Sequence, residues 1–227
     1  MKLFLIFFFL VALFGDDKVF IKGGSFIIPK GDSFYIKSFN KKIITIDDFY
    51  IDKYEFSYKL LPKKFQYLIP KYLVSSSFED LNLPVMNISY SQALEICKLK
   101  GGDLPTEEEW IVAAAFENGK FYKYPTKKYP LDKNDINIKK NLSDGYIFSD
   151  MVFTNQALIG INGIYGMLGN VWEIVKSSGK YVLVKGGSFY NSFMIDLLDV
   201  RVRNYILKKD LNSRYTVGFR CVYRGKK

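Results

Sequence analysis

A chain of 227 residues, 48% hydrophobic and 25% charged, has the composition of a folded domain or a small pair of domains, which excludes disordered and collagen-like sequence. It contains no histidine, so Ser-His-Asp and Cys-His catalysis, imidazole-ligated zinc and histidine-held iron are excluded as well. The net charge of +10 comes from lysines scattered through the whole length, without a basic arm, and a nucleic-acid partner is not expected.

Lys2 is followed by an unbroken apolar stretch from Leu3 to Phe14, the length of a signal-peptide h-region and too short to cross a hydrocarbon core of about 30 Å as a helix. Residues 1–15 therefore read as a signal peptide, with Gly15 at the cleavage point. Retention as an uncleaved anchor is the alternative, and would be the protein's sole contact with a membrane. Either way the chain is expected to be exported, to a periplasm or the extracellular space, and no cysteine follows the stretch to carry a lipid.

Residues 18–224 read as one domain. Val19 to Ile28 has the β-branched and aromatic content of strand, interrupted by Gly23-Gly24, and Ile43 to Ile51 alternates around Asp47-Asp48. Gly-Gly inside a strand pattern signals a bulge or a close backbone approach. The same five residues, Lys-Gly-Gly-Ser-Phe, return at 185–189 inside a further strand-like run from Tyr181 to Tyr190, so two strands with the same local bend, neighbours in one sheet, are expected. A short helix is expected around Lys63 to Ile69, with Pro62 at its first position. Ser89-x-x-Gln92 is a capping box, after which Tyr90, Ala93, Leu94 and Cys97 share one helical face until Gly101-Gly102. Thr106-x-x-Glu109 is a second box. It opens a helix with Glu107, Glu108 and Glu109 against the positive helix end, Trp110, Ala113 and Ala114 inward, and Asn118-Gly119 at its close. From 119 to 180 periodicity is weak, and irregular stretches of that length are usually functional or ligand-stabilised.

Some side chains carry constraints whatever the function. In GNVWE, Gly169-Asn170 makes a turn, Trp172 is an apolar anchor, and a buried Glu173 must be paired or metal-bound. Arg201, Arg203 and Arg220 are placed to bind carboxylates, internal or on a ligand.

Four segments in order carry a family resemblance: FIKGGSFIIP from Phe20 to Pro29, LPVMNISYSQALEICKLKGGDLPTEEEWIVAAA from Leu83 to Ala115, GIYGMLGNVWEI from Gly163 to Ile174, and VKGGSF then GFRC between Val184 and Cys221. Together they resemble the formylglycine-generating enzyme, or sulfatase-modifying factor, family over about residues 18–224. The resemblance implies an α+β domain of the C-type-lectin-like kind, few strands and helices with much irregular chain. It also implies a disulfide between Cys97 and Cys221, in keeping with an even cysteine count in an exported protein.

Where the oxidase members of that family hold copper with two cysteines just after Gly-Gly-Ser, this chain has Asn191 at the first position and Asp196 near the second. These are hard oxygen ligands that a soft cuprous ion does not take, so neither copper nor oxidase chemistry is expected, and the iron-dependent branch has no histidine ligands here. The resemblance also implies a calcium held by backbone carbonyls near Gly169 and Val171, the Glu173 carboxylate and a side chain at Gly166, where this chain has none. Asn141, with Asp144 and Asp150, is the candidate for the family's other calcium.

The expected function is that of an exported, non-catalytic binding protein, its ligand a peptide, an envelope protein or a glycan. The groove would be lined by Phe189, Tyr190, Asn191, Phe193 and Asp196, with Arg201 and Arg203 as anion clamps. Two readings compete with it. A formylglycine-generating oxidase predicts copper-dependent oxygen uptake with a cysteine peptide, and a diversified lectin-like binding protein predicts a partial repeat of Lys185 to Cys221 beside a reverse-transcriptase gene.

Overall fold

A computed structural model describes residues 17–32, 40–74, 80–126, 159–190 and 195–225. The two N-terminal strand runs each break where expected. β1 (Lys18–Ile21) and β2 (Gly24–Ile28) are parted at Gly23-Gly24, and β3 (Lys42–Ile46) and β4 (Phe49–Asp52) at Asp47-Asp48. The two bends lock together: a Cβ on Gly23 would stand 2.5 Å from the Asp47 carbonyl carbon, and the Gly23 N–H donates to Asp48 Oδ1 at 2.7 Å. This contact sends the halves of each run into different sheets. β2 pairs with β3, while β4 lies between β1 and β11 (Val222–Arg224), antiparallel to both.

A second sheet has the order β10-β7-β8-β9, built from β7 (Trp172–Ile174), β8 (Tyr181–Lys185), β9 (Asn204–Leu207) and β10 (Val217–Gly218), with β10 parallel to β7. The two Lys-Gly-Gly-Ser-Phe copies are therefore not neighbours. The first opens the β2–β3 pair, whereas the second leaves β8, where Gly186 and Gly187 take φ of 93° and 86° and turn the chain out of the sheet. The first Gly-Gly thus opens a pairing and the second ends one.

Helix α1 (Lys71–Val74) is a single turn; α2 (Tyr90–Leu99) and α3 (Glu107–Ala115) both start in complete capping boxes. Ser89 Oγ accepts from Gln92 N at 3.2 Å and Thr106 Oγ1 from Glu109 N at 3.1 Å, each cap stabilising its helix by about 1 kcal/mol. α3 stops before Asn118-Gly119. Those two residues, with φ of 51° and 78°, form the two-residue turn of a hairpin between β5 (Phe116–Glu117) and β6 (Lys120–Phe121). The expected helix near 63–69 is a 3-10 helix over Lys63–Leu68, with Pro62 immediately before it.

α3 is buried from Glu109 to Ala115, and Trp110, Ile111 and the three alanines pack with Ile21, Phe49, Ile51 and Val222. The inner face of α2 packs against a second cluster containing Phe56 and Phe219, whose rings stack with centroids 4.8 Å apart. A disulfide between Cys97 and Cys221 ties α2 to the residue preceding β11, the pairing that the family resemblance implies. Among the described residues no helix is long and apolar enough to cross a membrane; the stretch Leu3 to Phe14 lies outside them.

Candidate functional site

The chain leaving β8 is laid onto the Gly169-Asn170 turn by two backbone bonds, Gly169 N to Gly186 O at 2.9 Å and Phe189 N to Asn170 O at 2.7 Å. The fit needs both glycines. A Cβ on Gly187 would stand 2.6 Å from Leu198 Cδ2, and one on Gly186 3.2 Å from both Met167 O and Trp110 Cζ2. Phe189 is only 5% exposed and packs with Met86 and Val171, so it belongs to the core and does not line a groove as the sequence suggested. Tyr190 stands 50% exposed and meets Tyr215, 45% exposed, edge to face with centroids 6.1 Å apart. The surface thus carries two tyrosines, of which sequence reasoning found one; nothing in the run Ser213 to Val217 marks Tyr215 as its neighbour. Asn191 and Phe193 lie outside the described residues, and Asp196 faces Lys123 Nζ at 3.8 Å.

The arginines expected to clamp a ligand anion are engaged internally. Arg201 is 4% exposed: its Nε and Nη2 donate to Asp199 at 2.9 and 2.7 Å, and Nη2 also donates to Asp32 at 2.9 Å. Arg203 donates through Nε and Nη2 to the two Glu107 oxygens at 2.7 and 2.6 Å. A guanidinium fork matches a carboxylate in two bonds, and an internal carboxylate sits at each fork. Lys185 belongs to the same cluster. Fully buried, it donates to Val202 O at 2.7 Å and Glu107 Oε1 at 3.3 Å, and burial lowers its pKa to about 8 against the pull of Glu107.

Beneath the surface lie two buried carboxylates. Glu173 receives Arg220 Nε at 2.8 Å, Arg220 Nη2 at 2.5 Å and Trp110 Nε1 at 2.7 Å, so its charge is paired. Glu55, which sequence reasoning missed, is 1% exposed and accepts from Asn170 Nδ2 at 2.6 Å and Val171 N at 3.3 Å. Among the described residues no lysine or arginine nitrogen forms an ion pair with it. Burial, reinforced by the charge on Glu173, raises its pKa well above the usual carboxylate range. Its signal in the sequence was a single acid between two aromatics, Tyr54-Glu55-Phe56.

Glu55 also bears on calcium. A Cβ on Gly166 would stand 2.8 Å from the Glu55 carboxyl carbon, so the space for a side-chain ligand at 166 is filled by the Glu55 carboxylate itself. The Glu55 carboxylate, hydrogen-bonded to Asn170 and Val171 but in no ion pair among the described residues, is a hard-oxygen donor of the kind calcium accepts, whereas Glu173 is already paired with the Arg220 cation. Asn141, Asp144 and Asp150 lie outside the described residues.

The motifs that the fold brings together are those of one family. The family described as "Sulfatase-modifying factor enzyme 1-like domain" matches residues 12–224, and the chain belongs to it. Two curated relatives are both named "Inactive C-alpha-formylglycine-generating enzyme 2". The one from Bos taurus is 33% identical over 102 residues, covering 42% of this chain and 33% of the relative. The one from Mus musculus is 34% identical over 106 residues, covering 44% and 34%. Each match spans about a third of the relative's length.

Solved structures share the fold at low identity. Treponema denticola variable protein 1 superposes with a TM-score of 0.70 at 18% identity, over 92% of this chain and 95% of that one. PvdO from Pseudomonas aeruginosa gives 0.67 at 15%, over 90% and 93%, and CarF gives 0.66 at 19%, over 92% and 98%. The fold is thus the α+β, loop-rich fold of the formylglycine-generating enzymes.

Proposed function

We propose that this chain is an exported, non-catalytic member of the family, which binds a peptide, an envelope protein or a glycan on the surface that carries Tyr190 and Tyr215. The observation carrying this reading is the Cys97–Cys221 disulfide: the chain has two cysteines, both are in that bond, and no thiol is left to hold a cuprous ion. The relatives named as inactive formylglycine-generating enzymes support it, as does Asn191 at the family's first cysteine position. Export is supported by the apolar stretch Leu3 to Phe14 and by the disulfide, which persists in oxidising compartments. Tyr190 and Tyr215 would supply large, rigid contact area for the ligand. Calcium belongs to the same proposal, with Glu55 as its carboxylate ligand and a structural role in fixing the Gly169–Val171 turn under the binding surface.

The test has two parts. A thiol count on the denatured protein, with metal analysis and oxygen uptake in the presence of a cysteine peptide, is expected to find no thiol, no copper and no uptake. Titratable thiols with bound copper would overturn the reading in favour of an oxidase. For a ligand recovered from a peptide or glycan array, Tyr190→Ala and Tyr215→Ala are each expected to weaken binding at least tenfold. Unchanged affinity in both would remove the binding surface.

A further inference from the structure

A groove of about 1090 Å³ lies away from the Gly186–Tyr190 surface. One wall is the whole of β3 with Asp47 and Asp48; the facing wall is Glu108 and Glu109 in the first turn of α3, with Arg224 at the end of β11. Within the described part of the fold β3 is an edge strand. It pairs only with β2 among the described residues, and no backbone bond joins it to any other element there. In an antiparallel pair, alternate residues turn both N–H and C=O away from the partner, so β3 offers the groove a row of strand-pairing groups.

The side chains add selectivity. Four carboxylates, Asp47, Asp48, Glu108 and Glu109, face two cations in the groove: Lys42, paired with Glu108, and Arg224, which donates to Glu109 at 2.6 and 2.5 Å. The lining is therefore net negative in a chain of +10. On the rim Ile43 is 68% exposed, an apolar side chain that a strand added beside β3 would flank.

We propose that this groove takes an extended polypeptide segment bearing lysine or arginine side chains, which adds to the outer edge of β3 as a third strand. The length is suitable, since five residues of β3 match about 17 Å of extended peptide. Main-chain bonds to the edge supply affinity, and the acidic walls select the basic partner and speed its approach.

The experiment uses the full chain and two labelled peptides, Lys-Val-Lys-Val-Lys and Glu-Val-Glu-Val-Glu. The basic peptide is expected to bind at least tenfold more tightly and to slow hydrogen exchange at the amides of 42–46. Glu108→Lys is expected to lose that preference, while Tyr190→Ala leaves it intact. Equal affinity for the two peptides, or binding of the basic one without protection at β3, would overturn the proposal, and the exchange measurement on the unaltered protein needs no variant to fold.

Discussion

Cys97 and Cys221 stand 124 residues apart along the chain and 5.4 Å apart at their Cα atoms, so a single bond spans more than half the molecule. Closing a loop of that length restricts the unfolded chain and stabilises the fold by about 4–5 kcal/mol in the chain-entropy model. The paired substitution Cys97→Ala and Cys221→Ala is expected to lower the unfolding free energy by that amount in urea titration. A loss under about 1 kcal/mol would show that the bridge merely decorates an already fixed contact.

Arg220 and Glu173 are both fully buried. Removing one partner leaves an isolated charge in the core, and Arg220→Met alone is expected to cost about 3–5 kcal/mol. Adding Glu173→Leu to that variant should recover a large part of the loss, because two apolar side chains of similar volume need no counter-charge. A double-mutant cycle in denaturant measures the coupling directly.

Lys185 gives the protein a pH dependence on the alkaline side. Its folded-state pKa of about 8 is below the value of about 10.4 for an unfolded lysine, so the unfolded chain binds this proton more tightly. The contribution is fully present above about pH 10.4 and is lost as pH falls to about 8. Relative to Lys185→Met, the unaltered protein should gain on the order of 3 kcal/mol of stability across that window. A constant difference between the two proteins from pH 8 to 10.4 would show that Lys185 keeps its proton in both states.

Glu55 should report calcium. At a hundredfold excess over Kd, calcium is expected to add about 2.7 kcal/mol of stability, seen as a rise of roughly 5–10 °C in melting temperature. Glu55→Gln keeps the shape and the contact with Val171 N but removes the charge, and its melting temperature should not respond to calcium. A response retained in that variant would place any calcium elsewhere.

The local grammar of this fold was readable because it depends on neighbours in sequence. Ser89 and Gln92, and Thr106 and Glu109, act within a few residues of themselves. The destination of each strand was not readable in that way. β2 and β8 begin or end in identical pentapeptides yet join different sheets, because the choice is made by Asp47-Asp48 in one case and by the Gly169-Asn170 turn in the other. The site divides likewise. Tyr190 follows a motif and could be named, whereas Glu55 and Tyr215 come from segments that meet it only in the folded chain, and Phe189 and Arg201 changed meaning once their packing and counter-charges were known.

The order in which the chain is made gives the position of β4 a further meaning. β4 is the middle strand of its sheet, and Asp52 Oδ2 in its last residue accepts from Cys221 N, 169 residues later. Until that later segment emerges from the ribosome, β4 lacks a neighbour on one side, α2 has no partner for Cys97, and the Phe56 ring has nothing to stack on. Contacts so distant in sequence form slowly, and this fold can close on itself only after most of the chain has been made.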